Sequence, residues 1–436
     1  MERVTVIGGG LAGCEAAWQL ALRGVDVTLY EMKPEKYSPA HSYPGLAELV
    51  CSNSLRSDRL ENAVGLLKEE LRRLGSLILS CADATKVEAG GALAVDRERF
   101  SDLVGERIAA CPKISLVRRE LEEIPAGEVI IATGPLTAGA MAEKISGLLG
   151  GKTLSFYDAS APIVSFDSID FERAFFASRY DRGDSDYVNC PMNREEYDAF
   201  VEALTTAQEA PVHGFEDKNV FEGCMPIEVM ARRGHETIAH GPLKPVGLRD
   251  PRTGHEPYAV VQLRRENAAG TAYNLVGFQT HLKHPEQKRV FQMIPGLERA
   301  EFLRYGNMHR NTFLHSPGIL GSEYQLLADP RIRFAGQMTG VEGYVESTAS
   351  GFVAGFSLAR RLHSLTPLDF TAQTAIGALA HYISEGGGSD FQPMNVNFGI
   401  IEPVTQRLRR KKDRYAAVAQ RALERIDTIR QMKDFI

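Results

Sequence analysis

Residues 2–33 read ERVTVIGGGLAGCEAAWQLALRGVDVTLYEMK, and this stretch decides the fold. The apolar, β-branched run at residues 4–7 predicts a short buried strand. Residues 12–22 have helical composition, and residues 25–30 predict a second strand after the glycine that ends the helix. Strand, helix and strand in this order predict one βαβ unit of a parallel sheet.

Three glycines of this unit, Gly8, Gly10 and Gly13, stand in the G-x-G-x-x-G spacing. Gly8 permits a tight turn, Gly10 lets the backbone approach a pyrophosphate, and Gly13 lets the helix pack closely on the strand. The helix N-terminus offers unpaired N–H groups to phosphates. Glu31, 18 residues after Gly13, is placed to accept hydrogen bonds from a ribose diol. The context indicates dinucleotide binding, and a glycine-rich turn without a ligand is the alternative.

The composition of the chain limits the class of protein to which it can belong. The chain has 436 residues, 44% of them apolar and 24% charged, which is typical of a globular protein with two domains. No apolar run approaches the ~20 residues of a membrane span, and the first strand leaves no room for a signal peptide. Six scattered cysteines without metal-like spacing predict reduced thiols, no metal site and a cytoplasmic location.

The pattern of the first half extends the βαβ unit. Residues 62–74 and 96–110 predict helices capped by Asn62 and Asp96, and the apolar residues 77–79 are strand-like. Residues 129–135 (VIIATGP) predict a buried strand that ends in a Gly-Pro turn. Such a strand end is common where a dinucleotide domain meets its cofactor a second time.

The alternation of strands and helices stops near residue 156. Aromatic residues, prolines and strand-like runs at 259–263 and 274–278 then predict an inserted α+β domain at 156–330. Residues 332–336 return as a strand, and a glycine-rich loop opens a helix of small residues, as in two-dinucleotide-binding flavoproteins. We therefore expect a discontinuous first domain made of residues 1–155 and 331–436.

The charge distribution differs between the whole chain and its tail. The net charge of the chain is −6, whereas residues 406–436 carry ten Lys and Arg side chains against four acidic ones. This helix-like tail could bind phosphates or present a solvated face. Six further cationic or imidazole side chains could hold phosphates or other anionic groups, or be merely solvated: Lys244, Arg264, Lys283, Arg304, His309 and Arg310.

The chain resembles one family along nearly its whole length, the folate- and FAD-dependent tRNA uracil-5-methyltransferases, called TrmFO or Gid. The cysteine-containing segments and GPLKPVGL are far more specific than the glycine spacing. The segments that carry the resemblance include VIGGGLAGCEAAWQLA (6–21), VCSNSLRSD (50–58), GALAVDRERFS (91–101), ATGPLT (132–137), YVNCPMNREEY (187–197), FEGCMPIEVMARRG (221–234), GPLKPVGLRDPRTG (241–254) and GVEGYVESTASG (340–351).

The resemblance implies a glutathione-reductase-like, Rossmann-type FAD-binding domain of the α/β class. It implies reductive methylation of the T-loop uridine at tRNA position 54. The carbon would come from 5,10-methylenetetrahydrofolate, and FAD reduced by NADPH or NADH would supply the electrons. The expected partners are therefore tRNA, folate and NAD(P)H, without a membrane or an obligate protein partner.

The chemistry of this reaction needs a thiolate and a base. Thiolate addition at carbon 6 of uracil makes carbon 5 nucleophilic, and a base must later remove the carbon-5 proton. By resemblance, Cys224 attacks carbon 6 and Cys51 lies near the flavin as the general base; exchanged roles are the alternative. We expect structural roles for Cys14, Cys81, Cys111 and Cys190.

The same segments predict the cofactor contacts. The expected cofactor-binding residues are Gly8, Gly9, Gly10, Leu11, Ala12, Gly13, Glu31, Lys33, Thr133, Gly134, Gly336, Gly340, Gly343 and Tyr344. Two competing functions remain open from sequence alone. One is a flavin oxidoreductase acting on a small molecule, and the other is a non-catalytic flavin- and RNA-binding protein.

Overall fold

The computed structural model describes residues 3–151, 153–181, 186–210, 225–386, 391–406 and 408–435. Within these residues the strands are β1 (Val4–Ile7), β2 (Val27–Glu31), β3 (Ser54–Ser57), β4 (Lys86–Val87), β5 (Ala92–Val95), β6 (Ile114–Arg118), β7 (Val129–Ile131), β8 (Thr153–Ala159), β9 (Ile163–Ser165), β10 (Phe175–Ala177), β11 (Tyr187–Met192), β12 (Ala259–Arg265), β13 (Ala272–Leu275), β14 (Phe302–Arg304), β15 (Met308–Leu314), β16 (Gln325–Leu326) and β17 (Asp329–Phe334). The helices are α1 (Leu11–Leu22), α2 (Ala63–Leu74), α3 (Leu77–Ala84), α4 (Arg97–Ala110), α5 (Gly139–Leu148), α6 (Arg194–Thr206), α7 (Ile227–Arg232), α8 (Thr237–His240), α9 (His284–Phe291), α10 (Tyr344–Leu362), α11 (Ala375–Glu385) and α12 (Lys411–Arg430).

A six-stranded sheet contains the predicted βαβ unit. Its strand order is β16-β17-β7-β1-β2-β6, and β17, β7, β1, β2 and β6 pair in parallel. Strand β17, which follows the predicted insertion, pairs in parallel with β7. The α/β, Rossmann-type prediction is confirmed.

A second six-stranded sheet is antiparallel, with the order β10-β11-β12-β13-β9-β14. One face packs on helices α6, α7 and α9 and forms a separate apolar core that includes Val188, Leu263 and Phe291. The larger core belongs to the parallel sheet and includes residues from both ends of the chain. Two cores with different sheet types agree with the change of pattern near residue 156.

Helices α1 and α10 approach each other until their backbones touch. A Cβ atom built on Gly351 would lie 2.2 Å from the carbonyl oxygen of Ala12, and one on Gly355 would lie 2.5 Å from that of Ala16. Only glycine fits at such a distance. Both helices begin at the same end of the parallel sheet, so this contact fixes how far apart their N-termini lie.

Three local predictions need correction. Residues 77–79 are helical, because Ser76 caps α3 by accepting the Leu79 N–H and the buried Glu15 carboxylate accepts the Ile78 N–H. The run at 274–278 is only partly a strand, since β13 ends at Leu275 and Gly277 adopts a positive φ of 80°. Asn62 occupies the N-cap of α2 as predicted, but its side chain bonds to Ser57 instead of the helix.

None of the helices in the described ranges combines the length and the apolar composition that a bilayer span needs.

Replacing Gly351 with alanine tests the contact between α1 and α10. The new methyl group would overlap the Ala12 carbonyl, and overpacking of this kind costs about 1–3 kcal/mol of unfolding free energy. Gly105→Ala is the matched control, since in the described part of the chain no heavy atom outside the backbone of α4 lies within 4 Å of its Cβ position. Denaturant unfolding should show a lower free energy of unfolding for Gly351→Ala and a free energy of unfolding higher by about 0.5–1 kcal/mol for Gly105→Ala. Equal free energies of unfolding for the two variants would contradict the packing argument.

Candidate functional site

A cavity of about 400 Å³ lies at the carboxyl ends of the parallel strands. Ligands of open α/β sheets bind at this edge. Of the fourteen predicted cofactor residues, eleven line the cavity: Gly8, Gly9, Gly10, Leu11, Ala12, Glu31, Lys33, Thr133, Gly134, Gly336 and Tyr344. The fold therefore brings together residues that are more than 300 positions apart in the sequence.

Gly13, Gly340 and Gly343 lie outside the cavity wall. A Cβ on Gly13 would lie 1.8 Å from the Gly8 carbonyl oxygen, so this glycine serves helix–strand packing. Gly340 and Gly343 have positive φ angles of 92° and 113° and shape the turn that leads into α10. Their effect on a ligand would be exerted through the backbone that they position.

Gly8 and Gly10 differ in how much space surrounds their Cβ positions. Gly8 has a φ of 104°, and its Cβ position lies 2.4 Å from the Ala132 carbonyl oxygen, so a side chain is excluded by conformation and by space. No heavy atom of the described residues lies within 4 Å of the Cβ position of Gly10. Gly10 caps α1 without a side-chain hydrogen bond, so the first N–H groups of the helix lack a cap and face the cavity end. This is the geometry needed for close approach of a pyrophosphate.

Glu31 and Lys33 are both buried in the cavity wall. The Glu31 carboxylate accepts the Gly9 N–H at 2.7 Å and the Lys33 N–H at 2.9 Å, and each oxygen keeps a lone pair for a ribose hydroxyl. The Lys33 ammonium donates to the carbonyls of Tyr43 and Gly45 and to Glu48. Its three N–H donors are thereby used, and Lys33 holds the loop that forms one side of the cavity.

Cys51 lies beside the cavity and contacts Tyr344 of α10. The Tyr344 hydroxyl oxygen accepts the backbone N–H groups of Cys51 at 2.9 Å and Ser52 at 3.2 Å. Both of its lone pairs are then used, so its O–H is left to donate to the Cys51 sulfur, 2.9 Å away. Burial and the neighbouring Cys51 sulfur raise the pKa of Tyr344 well above its ordinary value, so the phenol keeps its proton.

Two guanidinium groups, one partly buried and one buried, hold the loop that carries Cys51. Arg97 of α4 donates to the Leu49 carbonyl at 2.6 Å and pairs with Glu266 at 2.6 Å. Arg264 of β12 donates to the hydroxyl of Ser52 at 2.6 Å and to the side-chain oxygen of Asn53 at 3.0 Å. Because Leu263 faces the helices, its neighbour Arg264 faces the opposite side of the sheet, towards this loop.

Two cationic side chains, Arg97 and Arg264, interact electrostatically with the Cys51 sulfur. Burial lowers the pKa of Arg264, whereas for Arg97 the adjoining Glu266 carboxylate outweighs burial and the pKa is raised. The Cys51 sulfur raises the pKa of both guanidinium groups, so a thiolate there lies within electrostatic reach of two cations. Nearby cations favour the thiolate form of cysteine.

Cys224 and the preceding residues from 211 onwards lie outside the described residues. The two residues that flank this segment, Ala210 and Met225, are described. Both lie in the part of the chain that contains the antiparallel sheet. Among the other cysteines, Cys14, Cys81 and Cys190 are fully buried. Burial raises the pKa of Cys81 to about 11 and raises those of Cys14 and Cys190 further, which suits packing roles.

The predicted cationic residues separate into distinct environments. Arg264 is buried in the Cys51 network instead of facing solvent. Arg304 is half-buried and reaches the Ala40 carbonyl, whereas Lys244 and Lys283 are exposed. The side chains of His309 and Arg310 lie outside the described residues. Sequence reasoning missed Arg97 and Glu266, and no local signal could have joined residues 169 positions apart.

Comparisons with known proteins extend these observations. Residues 3–366 match the protein family described as glucose inhibited division protein A. The chain is 60% identical over 425 residues to the methylenetetrahydrofolate–tRNA-(uracil-5-)-methyltransferase TrmFO of Heliobacterium modesticaldum, with 97% of each chain covered. It is 59% identical over 429 residues to the protein of the same name from Pelotomaculum thermopropionicum, with 98% of each covered. A crystal structure of Aquifex aeolicus GidA has the same fold, with a TM-score of 0.71 at 15% identity over 100% of this chain and 74% of that one.

Gly10→Ala separates ligand approach from folding. Its methyl group would enter open space at the cavity, so we expect the protein to fold while its content of the expected flavin dinucleotide falls at least tenfold. Gly13→Ala is the contrasting variant, because its methyl group overlaps the Gly8 carbonyl and should prevent stable folding. Flavin absorbance per protein and thermal unfolding of the cofactor-free form measure the two effects. Full flavin content in Gly10→Ala would contradict this assignment.

Proposed function

Since the chain belongs to the family described as glucose inhibited division protein A, and relatives of almost equal length at 55–60% identity are TrmFO enzymes, we propose that it is a folate-dependent tRNA uracil-5-methyltransferase. The observation that carries the proposal is the position of Cys51. It lies beside a dinucleotide cavity, receives a hydrogen bond from Tyr344 and is flanked by two cations. A flavin oxidoreductase that acts on a small molecule would leave the pairing of Cys51 with Cys224, on different parts of the chain, unexplained.

The cavity fits the proposed FAD. Open space at Gly10, the uncapped N-terminus of α1 and the Glu31 carboxylate are what a pyrophosphate and a ribose require. FAD, once reduced by NADPH or NADH, would supply the hydride that converts a methylene on uracil into a methyl group. Gly8, Gly9, Gly10, Leu11 and Ala12 would hold its phosphates, and Thr133, Gly134, Gly336 and Tyr344 would border the rest of the cavity.

The residues of this chain would carry out the proton and thiol chemistry on uracil. We assign the attack on carbon 6 to Cys224, which makes carbon 5 nucleophilic towards the one-carbon unit of methylenetetrahydrofolate. We assign the removal of the carbon-5 proton to the Cys51 thiolate, which becomes a thiol. Arg97 and Arg264 favour the thiolate before this transfer, and Tyr344 fixes the direction of its lone pairs.

We propose the T-loop uridine at position 54 as the target, and therefore a cytoplasmic location beside tRNA. The division into residues 1–155 with 331–436 and residues 156–330 remains our proposal. The two separate apolar cores support it, except that Leu314, Leu320 and Tyr324 pack in the core of the first part. Arg97 and Glu266 join the two parts directly at the Cys51 loop. Helix α12, which contains much of the basic tail, packs on the first domain and offers exposed cations for tRNA phosphates.

Trapping with 5-fluorouridine tests the proposed function. Fluorine cannot leave carbon 5 as a proton, so the thiol adduct at carbon 6 should persist. We would incubate the purified protein with methylenetetrahydrofolate and T-arm RNA that carries 5-fluorouridine at the target position. A covalent protein–RNA band is expected for the wild type and for Cys51→Ala, and it should be absent for Cys224→Ala.

Cys111→Ala is the matched control, because Cys111 is only partly buried and lies at the end of α4 away from the cavity. It should trap RNA like the wild type. If the band is lost only in Cys51→Ala, the proposed function stands, but Cys51 is the nucleophile and Cys224 the general base. Absence of a band from every flavin-loaded protein would refute the methyltransferase proposal.

A further inference from the structure

The antiparallel sheet carries a row of four side chains on the face that meets the Cys51 loop. Arg264 of β12 pairs with Asn274 of β13, Asn274 pairs with Ile163 of β9, and Ile163 pairs with Arg304 of β14 after a β-bulge. Directly paired residues point to the same side of a sheet, with Cβ atoms about 4.5–5.5 Å apart. Since Arg264 faces the Cys51 loop, the rest of the row lies on that face as well.

The two ends of the row contact loops at the carboxyl edge of the parallel sheet. Arg264 donates to the hydroxyl of Ser52, the residue after Cys51. Arg304 donates to the Ala40 carbonyl at 3.5 Å, in the loop that borders the dinucleotide cavity. The middle of the row therefore lies between these two loops.

Asn274, in the middle of the row, carries an unused hydrogen-bond donor. The residue is only 3% exposed, and no acceptor in the described part of the chain lies within hydrogen-bond distance of its Nδ2 atom. Leaving a buried donor unpaired carries a free-energy cost, and such groups in native proteins are rare enough to require an explanation. A ligand that brings an oxygen to this amide would remove that cost.

Arg304, on the other side of Ile163, carries a charge that no carboxylate of the described residues neutralises within ion-pair distance. The guanidinium is half-buried, and its hydrogen bond to Ala40 is long. Burial and then the neighbouring Arg97 charge lower the pKa of Arg304, so an anionic group beside it would be favoured. Ile163 is partly exposed, so the row opens to solvent between Asn274 and Arg304.

We propose that this opening at Ile163 receives the uracil ring of the target nucleotide and that Arg304 and Asn274 hold its O4 oxygen. The inference deepens the proposed function and rests on it, because it names the residues that bind the substrate of that reaction. The apolar face of the ring would lie on Ile163. Carbon 5 is bonded to carbon 4, so holding O4 in this row brings the carbon-5 proton to the side of the loop that carries the proposed base, Cys51.

The two donors would act on the charge that develops during the reaction. When a thiolate bonds to carbon 6, the electron pair of the 5,6 double bond moves towards carbon 4, and O4 takes the negative charge. The pair returns to carbon 5 as that atom bonds to the one-carbon unit. Preorganised N–H donors stabilise such an oxyanion more than the neutral carbonyl. This stabilisation is needed whichever cysteine supplies the thiolate.

The test is the single-turnover rate of label transfer from methylenetetrahydrofolate to T-arm RNA by the flavin-loaded protein. Asn274→Ala and Arg304→Met should each lower this rate by about 100-fold, as removal of one oxyanion donor does. The affinity of Asn274→Ala for T-arm RNA should stay within about threefold of the wild type, since phosphate contacts dominate it. A merely structural role of Asn274 would lower both quantities together.

Asn274→Asp keeps the test decisive if Asn274→Ala does not fold. It preserves the size of the side chain, and its carboxylate would lie between two guanidinium groups, Arg264 and Arg304. The variant should fold and bind flavin. It should transfer label no faster than Asn274→Ala, because a carboxylate offers no N–H and repels the enolate.

Sulfur substitution in the RNA identifies the atom that is held. In 4-thiouridine the O4 atom is replaced by sulfur, a weaker acceptor, and in 2-thiouridine the O2 atom is replaced. The slowing caused by 4-thiouridine should be about tenfold smaller in Asn274→Ala than in the wild type, since two changes at one contact are not additive. The slowing caused by 2-thiouridine should be equal in the two proteins.

Asn267→Ala is the matched control. Asn267 lies in the turn between β12 and β13, outside the row, and its side chain bonds to Thr271. It should keep the wild-type rate with each RNA. Slowing in Asn267→Ala equal to that in Asn274→Ala would contradict a specific role of the row.

The remaining outcomes separate this inference from the proposed function. A wild-type protein that transfers no label would refute the proposed function itself. Normal transfer by the wild type, with unchanged rates in Asn274→Ala and Arg304→Met, would overturn the uracil site alone. A weaker affinity of Asn274→Ala for tetrahydrofolate without RNA, together with equal effects of 4-thiouridine in both proteins, would assign the row to the folate ring and also overturn it.

Discussion

The contact between α1 and α10 is the constraint on which the site depends. Their backbones meet where Gly351 and Gly355 face the carbonyls of Ala12 and Ala16, at distances that exclude any side chain. Both helices start at the cavity, one after Gly10 and the other at Tyr344. The contact therefore sets the position of the phosphate-binding turn and of the Tyr344 hydroxyl together, and through that hydroxyl it sets the position of Cys51.

A second set of interactions connects the antiparallel sheet to this centre. Arg264 reaches the Cys51 loop from β12, and Glu266 pairs with Arg97 from the same stretch of chain. Buried ion pairs of this kind contribute little net stability, but removing one partner leaves an unpaired buried charge. The contacts of Arg264 and Glu266 fix the orientation of the antiparallel sheet with respect to the Cys51 thiol.

Much of the cavity could be predicted from sequence because its determinants are local. The glycine spacing, the apolar strand before it and Glu31 at the end of β2 all lie within 31 residues. The strand–glycine pattern near residues 332–343 predicted the return of the chain in the same way. Residues 77–79 were assigned wrongly because three apolar residues fit a strand or a helix equally, and the buried Glu15 that receives the α3 N-terminus is distant in sequence.

The Cys51 network could not be predicted, since its members are separated by up to 293 positions and share no period. The family resemblance identified Cys51 as a candidate catalytic residue, but it did not predict which side chains contact it. Sequence patterns report local geometry, whereas electrostatic contacts between loops require the fold.

The most direct measurement follows the transferred carbon. Purified flavin-loaded protein would receive unmodified tRNA and NADPH with either carbon-labelled methylenetetrahydrofolate or methyl-labelled S-adenosylmethionine, and the tRNA nucleosides would then be separated. The account predicts label in 5-methyluridine from the folate alone, and none when the T-loop uridine is replaced by cytidine. Label from S-adenosylmethionine alone, or no label in tRNA from either donor, would contradict it.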